Sequence, residues 1–405
     1  MIVVTGGVTA AKGFLASGLS AGIKKSGRKD LALLYSEVPA VAAGAFTTNV
    51  FQASPLKISK VHLSHKMHQA LIVNSGNANC ANGKAGERAA VATADYIARA
   101  LCLDRREVLV ASTGIIGRPL PVEKIKCKVA DLVAGLSKEG ARAFSEAILT
   151  TDTVKKECAL KVRIGSSTVT IGGAAKGVGM IYPEMKVEKH ATTLCFITTD
   201  ASISKAMLAS SLGEAIEESF NMASVDGDMS TNDSCFIIAN GMAGNKRIAD
   251  KGQDYSKFTA ALKSLTTELA KKLVKDGEGA TKFVTIEVAG AKSRADAARI
   301  ARKTSTSSLF KACLYGEDPN WGRVVAAAGS AGVDFNPDKA DLYLGGVKVL
   351  SNGASVKFDT AKAMGLFKKK DIYIKLDLKC GHAKATAWTC DLSEEYVRIN
   401  AEYST

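Results

Sequence analysis

The residues with the most chemistry to offer are Thr192 and Thr193, which head the strand-like run TLCFITTD. A hydroxyl becomes a good nucleophile only beside a base. The chain has five histidines, and none stands out as part of a triad, so Ser-His-Asp chemistry has little support. The remaining route is a terminal threonine. If the chain were cut before Thr192, its new α-amine, with an ordinary pKa of about 7.7–8.0, would be a base tethered beside its own hydroxyl. The β-propensity of threonine accounts for the same pair with no chemistry at all. From spacing alone the second explanation prevails, and cleavage before Thr192 is not shown.

Lys176 sits in GGAAKGVGM among Gly172, Gly173, Gly177 and Gly179, where backbone amides and an ammonium would have room to approach an anion. From the residues alone a plain turn after a hairpin is the better explanation of these glycines. Neither this stretch nor DGEGATK at 276–282 has the order G-x-x-x-x-G-K-[ST], which argues against an NTPase. NSGNANCANG at 74–83 and STGIIG at 112–117 are turn sequences whose small residues expose N–H groups able to hold an oxyanion. In VDGDMSTND the calcium-loop pattern fails, because Thr231 and Ile237 stand where glycine and glutamate are needed. His62, His65 and His68 are spaced for neighbouring helical turns, but no carboxylate or cysteine completes a metal site.

Elements must hold these residues in place. Short β-like runs alternate with longer helical ones along the whole chain. LALLYS at 31–36, ALIVN at 70–74 and EVLVAST at 107–113 read as strands, with helices from Ala85 and from Val122. CALKVRIG and STVTIGG form an expected hairpin, TLCFITTDA a strand, KAMLASSLGEAIEESFNMA a helix, residues 255–275 another helix and FVTIEVAGA another strand. DLYLGGVKVL, IYIKLDL and AKATAWTCDL alternate like antiparallel strands with one solvated face. The polar stretch KVEKH after Met185 reads as an exposed loop, the kind of place where chains are nicked.

With 405 residues, 46% hydrophobic and 23% charged, the chain can bury a large core, which excludes disordered and fibrous classes. Its length allows two or three domains or one large layered one. A formal charge of +14 suits anionic partners, whether nucleic acid, small carboxylates or a phosphorylated cofactor. Nucleic acid is the weakest of these, because aromatics make up only 6% and the positive charges are dispersed. No apolar run approaches the roughly 18 residues of a membrane helix, and the start lacks the charged and apolar regions of a signal peptide. A cytoplasmic protein is expected. The nine cysteines are scattered singly, which reads as reduced and mostly buried thiols.

Taken together, GGVTAAKGF, FTTN at 46–49, NSGNANCANG, STGIIG, ILTTD at 148–152, GGAAKGVGMIYPEM, ATTLCFITTD, SFNMASVDGDMSTNDS, DGEGATK, YGEDPNWGR and YVRINAEYST resemble the ornithine acetyltransferase family of arginine biosynthesis. The resemblance runs the length of the chain. It implies an α/β (α+β) fold, an αββα sandwich with a smaller C-terminal part, in an α2β2 heterotetramer. It implies self-cleavage between Ala191 and Thr192 into an α chain of residues 1–191 and a β chain of residues 192–405, with Thr192 the nucleophile. It implies acetyl transfer from N2-acetyl-L-ornithine to L-glutamate by a ping-pong mechanism with no cofactor. Whether acetyl-CoA also serves as donor stays open.

By the same resemblance Thr113 and Gly114 form the oxyanion hole and Lys176 meets a substrate carboxylate. Thr150, or its neighbour Thr151, contacts substrate, Glu278 takes the substrate amine, and Asn400 with Thr405 closes the site. Two features depart from the family pattern: Thr193 stands in place of Met, and KVEKH is inserted before ATTL. A self-cleaving amidohydrolase or aminopeptidase, sending the acyl group to water, is the alternative.

Overall fold

A computed structural model describes residues 1–187 and 193–402, which fall into two compact units. The first comprises residues 1–177, 183–220 and 229–269. In chain order it holds β1 (Ile2–Val4), β2 (Phe14–Leu19), β3 (Leu31–Thr47), α1 (Ser54–Leu63), β4 (His68–Asn77), α2 (Gly83–Leu101), β5 (Val108–Ile115), α3 (Val122–Ala134) and α4 (Ala141–Ile148). There follow β6 (Lys156–Ile164), β7 (Ser167–Lys176), β8 (Met185–Val187), β9 (Leu194–Thr199), α5 (Lys205–Glu217), β10 (Ser234–Ala239) and the larger part of α6 (Gln253–Lys275).

These ten strands form one sheet, and β3 belongs to both of its halves. Residues 31–35 pair antiparallel with β2 and β4, whereas residues 41–45 pair antiparallel with β10. The register with β4 breaks between Tyr35 and Ala40. Pro39, which has no N–H to give a ladder, lies in that break. The sequence reading ends this strand at Ser36, because the Ala- and Gly-rich continuation has weak β-propensity. Burial of Ala40, Ala42, Ala45 and Phe46 supplies what propensity lacks.

Side-chain alternation then sorts the layers. Ala32, Leu34, Leu71, Val73, Leu109 and Ala111 turn inward to meet Ala174, Leu194, Phe196, Phe236 and Ile238 of the other half. Leu31, Leu33, Ala70, Ile72, Val108 and Val110 turn outward against α2 and α3. On the opposite outer face α5 packs on β3 and β8, and Leu265 and Leu269 of α6 reach Gly173 of β7. The unit is thus helix, sheet, sheet, helix, the αββα sandwich expected. Phe46 meets Phe236, and Phe144 of α4 meets Phe196, edge to face at 5.4 Å, each contact worth about 0.5–1.5 kcal/mol beyond area burial.

The second unit comprises residues 178–182, 221–228 and 270–405 and is the smaller C-terminal part. It contains β11 (Phe283–Ala291), α7 (Arg294–Ser305), α8 (Ser308–Tyr315), α9 (Trp321–Gly329), β12 (Asp341–Leu344), β13 (Val347–Ser351), β14 (Ala354–Ser355), α10 (Thr360–Phe367), β15 (Asp371–Asp377), β16 (Ala383–Cys390) and α11 (Glu394–Glu402). The six strands run in the order β14-β13-β12-β15-β11-β16. The expectation of antiparallel strands holds for β12 with β13 and with β15 and for β16 with β11, while β15 also lies parallel to β11. The long chain between β11 and β15, four helices and strands β12–β14, permits parallel pairing where a tight turn would forbid it.

Two further readings change. His62 lies in α1 while His68 opens β4, so the three histidines do not share a helix. Their rings meet backbone carbonyls instead, His62 Nδ1 lying 2.7 Å from Val108 O and His68 Nε2 3.0 Å from His62 O. KVEKH is not wholly an exposed loop. Lys186 and Val187 belong to β8, which pairs with β3 through Ala45 and Phe46, because the apolar Val187 packs against α5 at Gly213. Glu188, Lys189 and His190 lie outside the described residues. All nine cysteines are free thiols, and six of them are buried.

Candidate active site

Lys176 is the last residue of β7 and faces Leu194, the first of β9, across the ladder. Only 8% of it is exposed. Its Nζ donates to Thr150 Oγ1 at 2.8 Å and to Thr113 Oγ1 at 3.2 Å, so three residues singled out in the sequence from three distant positions meet on one ammonium. An ammonium can only donate. Each threonine hydroxyl therefore accepts from Lys176 and must direct its own proton elsewhere, which makes Thr113 a ready donor to a developing oxyanion.

What holds this trio was not singled out in the sequence. Asp152 Oδ1 accepts from Lys156 Nζ at 2.5 Å and from the Gly177 N–H at 2.7 Å, while Oδ2 accepts from the Thr150 N–H at 3.1 Å. One carboxylate thus fixes both the loop carrying Thr150 and the peptide after Lys176. Burial by itself would push the Asp152 carboxyl up, but the charges of Lys176 and Lys156 and its hydrogen bonds outweigh that and bring it down to about 2. The Asp152 and Lys156 side chains are fully shielded from water. Asp152→Asn removes the carboxylate from the buried Asp152–Lys156 ion pair and is expected to cost about 3–5 kcal/mol at neutral pH. Because the folded carboxyl loses its proton at lower pH than an unfolded one, this stabilisation is complete above the ordinary carboxylate range and disappears as pH falls through about 2. Denaturant melts at neutral and at strongly acidic pH check it: the gap between wild type and variant must narrow in acid.

Thr113 and Gly114 lie near the end of β5, where pairing with β4 becomes irregular at Gly76 and Asn77. Gly114 has φ +132°, and a Cβ there would sit 2.4 Å from the carbonyl carbon of Gly76. Glycine is therefore required on two counts, backbone conformation and space. The NSGNANCANG turn is cross-braced by its own amides. Ser112 Oγ donates to Asn74 Oδ1 at 2.5 Å, Asn74 Nδ2 to Asn77 O at 2.8 Å, and Asn79 Nδ2 to Gly86 O at 2.9 Å. Asn232, two residues before β10, donates from Nδ2 to Ala78 O at 2.6 Å and Ser112 O at 2.8 Å, tying turn and strand together.

Ala191 and Thr192 lie outside the described residues, as does Thr405. Thr193, immediately before β9, is buried and has φ +109°, a conformation that costs a β-branched residue about 1–3 kcal/mol. Its N–H donates to Asp233 Oδ1 and its carbonyl accepts from the Ser234 N–H at 2.9 Å. Burial pushes the Asp233 carboxyl well up, against the opposing effects of the Thr193 N–H and the Lys176 charge.

Comparison with known proteins decides the family. The ArgJ family profile matches residues 15–405. The "Arginine biosynthesis bifunctional protein ArgJ" of Gloeobacter violaceus is 47% identical, with 99% of this chain and 98% of that one covered. The protein of the same name from Symbiobacterium thermophilum is 45% identical, with 99% of each covered. The chain belongs to the ArgJ family.

Among solved structures, the arginine biosynthesis bifunctional protein argJ of Bacillus halodurans is 36% identical with a TM-score of 0.49, covering 51% of this chain and 97% of that one. An ornithine acetyltransferase of Mycobacterium tuberculosis complexed with ornithine is 40% identical with a TM-score of 0.43, covering 45% of this chain and 98% of that one.

The other residues singled out in this ArgJ-family chain fall in the second unit. Asn400, on α11, donates from Nδ2 to Glu278 Oε2 at 3.1 Å, and the Glu278 N–H donates to Val178 O at 2.8 Å. The Gly-rich stretch is not the open anion cradle that its composition allowed. The Gly177 N–H is taken by Asp152, a Cβ at Gly172 would meet Gly7 O at 2.1 Å, and one at Gly179 would meet Glu278 Oε2 at 2.4 Å. These glycines make room for close neighbours. The carboxylates of VDGDMSTND are used internally, Asp226 accepting from Met180 N–H at 2.5 Å and Ile181 N–H at 2.9 Å. Among the described residues no group of three or more His, Cys, Asp or Glu is placed to hold a metal ion.

Proposed function

We propose that this chain is a self-processed acetyltransferase that moves the acetyl group of N2-acetyl-L-ornithine to L-glutamate through an acetyl-threonine intermediate. The observation that carries the reading is the convergence of Thr113 and Thr150 on Lys176 opposite the first residue of β9. The proposed nucleophile, Thr192, lies two positions before that residue.

In the precursor, Thr192 Oγ adds to the Ala191 carbonyl carbon, the C–N bond breaks, and the nitrogen takes up the proton released by the hydroxyl. Water cleaves the resulting ester, leaving a carboxylate on Ala191 and a free amine and hydroxyl on Thr192. That amine then takes the hydroxyl proton as Oγ attacks the acetyl carbon of acetylornithine. The bond to the substrate nitrogen breaks, the nitrogen regains a proton, and ornithine departs. The amine of glutamate attacks the acetyl ester and Oγ recovers its proton. Thr113, through its hydroxyl, and Gly114, through its N–H, steady the oxyanion in each addition, at about 2.7–4 kcal/mol per donor. Lys176 supplies charge for a substrate carboxylate and Thr150 a hydrogen bond. Glu278 is proposed to receive the substrate amine, with Asn400 and Thr405 completing the contacts.

The "bifunctional" in the relatives' name fits a second donor: acetyl-CoA, loading the same threonine to make N-acetylglutamate. Nucleophile, base and oxyanion donors all come from the chain, so no cofactor is required. We further propose an α2β2 assembly of chains 1–191 and 192–405 and a cytoplasmic location. No helix among the described residues is long and apolar enough to cross a membrane.

Incubating the protein with N2-acetyl-L-ornithine and no glutamate is expected to add one acetyl mass to fragment 192–405, which glutamate then discharges far faster than water does. An unmodified fragment would overturn the reading. Discharge at the same rate without glutamate would make the protein an amidohydrolase instead.

A further inference from the structure

Asp233 belongs to none of the roles above, yet it is the one buried acid, among the described residues, that bonds the segment next to the proposed scissile bond. It precedes β10 in the run STNDS and is 3% exposed. We propose that Asp233 is a positioning residue for self-cleavage, its carboxyl holding the Thr193 N–H immediately after the proposed nucleophile. The inference rests on the self-processing reading given above and deepens it.

The geometry has three parts. The N–H of Thr193 belongs to the peptide plane shared with Thr192, so whatever holds that N–H fixes the backbone on the nucleophile's C-terminal side. Asp233 Oδ1 accepts that N–H, and Ser234 donates its own N–H to Thr193 O at 2.9 Å, so consecutive residues of one strand entry hold Thr193 on both sides. Asp233 is anchored in turn, its carbonyl accepting from the Thr47 N–H at 3.1 Å. The residue before it, Asn232, holds Ser112 O, the carbonyl next to Thr113. Residues 232–234 therefore tie Thr193 to the strand that carries Thr113. Thr193 keeps its left-handed φ of +109°, and its buried Oγ1 has no hydrogen-bond partner among the described residues.

The chemistry suits a carboxyl that stays neutral. Burial favours the protonated form of Asp233, and a neutral carboxyl oxygen accepts an N–H without placing a second negative charge beside the oxyanion that cleavage creates. An asparagine oxygen can do the same.

The test compares Asp233→Asn and Asp233→Leu, two side chains of similar shape, with wild type in cell-free synthesis, following uncut chain and fragments by intact mass over time. Thermal melting of each purified chain confirms folding. Asp233→Asn is expected to cleave within a few-fold of wild type, and Asp233→Leu about a hundredfold more slowly, the cost of a small misplacement at a reacting centre. Slow cleavage in a leucine variant that melts like wild type is what a merely structural aspartate would not give. A folded leucine variant that cleaves at the wild-type rate, or an asparagine variant as slow as the leucine one, overturns the inference while leaving the self-processing reading intact. An uncut wild-type chain overturns both. If the leucine variant does not fold, Asp233→Ala takes its place in the same comparison.

Discussion

Thr192→Ala is expected to remain a single chain of 405 residues and to transfer no acetyl group. Its methyl side chain can neither attack the Ala191 carbonyl nor carry an acetyl ester, so one substitution removes the processing step and the catalytic step together. Loss of a catalytic nucleophile costs on the order of 10⁶ in kcat where it has been dissected in hydrolases, and here the base disappears as well, because the α-amine is never released. Thr192→Ser is the informative companion. It keeps the hydroxyl and should still cleave, with the new N-terminus at position 192. Intact mass and N-terminal sequencing of both variants decide the matter. Fragments from Thr192→Ala, or cleavage after any residue other than Ala191, would remove Thr192 from the mechanism and return its neighbour Thr193 to consideration.

The second large effect is expected from Gly114→Ala. A Cβ at this position would lie 2.4 Å from Gly76 C, 2.5 Å from Asn77 N and 2.7 Å from Gly76 Cα, all backbone atoms that cannot rotate away. The φ of +132° is also one that alanine rarely adopts. Relief requires the end of β5 to move away from β4, and Thr113 moves with it. A displacement of about 1 Å at an oxyanion donor is worth roughly a hundredfold, and outright loss of the donor about 10²–10³-fold in kcat. We therefore expect kcat to fall at least about a hundredfold, with the KM for acetylornithine much less affected, and a loss of about 1–3 kcal/mol in stability from the strained backbone. Steady-state kinetics on processed, folded variant protein separate these effects. A variant with wild-type kcat would exclude the end of β5 from the oxyanion site.

Where chemistry leaves a local trace, the sequence was readable. The alternation in CALKVRIG and STVTIGG marks β6 and β7, the helical spacing after Val122 marks α3, and the joined motifs mark the family. Local pattern missed the second half of β3, where Ala and Gly stand in a strand sustained only by burial. It missed β10 as well, whose fully buried run SCFIIA has no alternation to read. It misjudged Lys186 and Val187, because pairing with β3 joins residues far apart in the chain.

The site divides the same way. By themselves the residues offered a lysine among glycines and a turn in STGIIG, each with an ordinary explanation at hand, and Thr150 entered only through the family resemblance. Nothing in their spacing brings Lys176 Nζ within 3.2 Å of both hydroxyls, since the three stand on separate segments and meet only through the pairing of β7, β9 and β10 and the packing of α4. The sequence determined which side chains were available and, through the family motifs, which roles to propose for them. The tertiary structure alone decided that Asp152 braces the loop of Thr150 and the peptide after Lys176, and that Asp233 bonds the N–H of Thr193. A carboxyl's role depends on burial and on which N–H groups and charges surround it, and those neighbours come from chain segments that no local pattern relates.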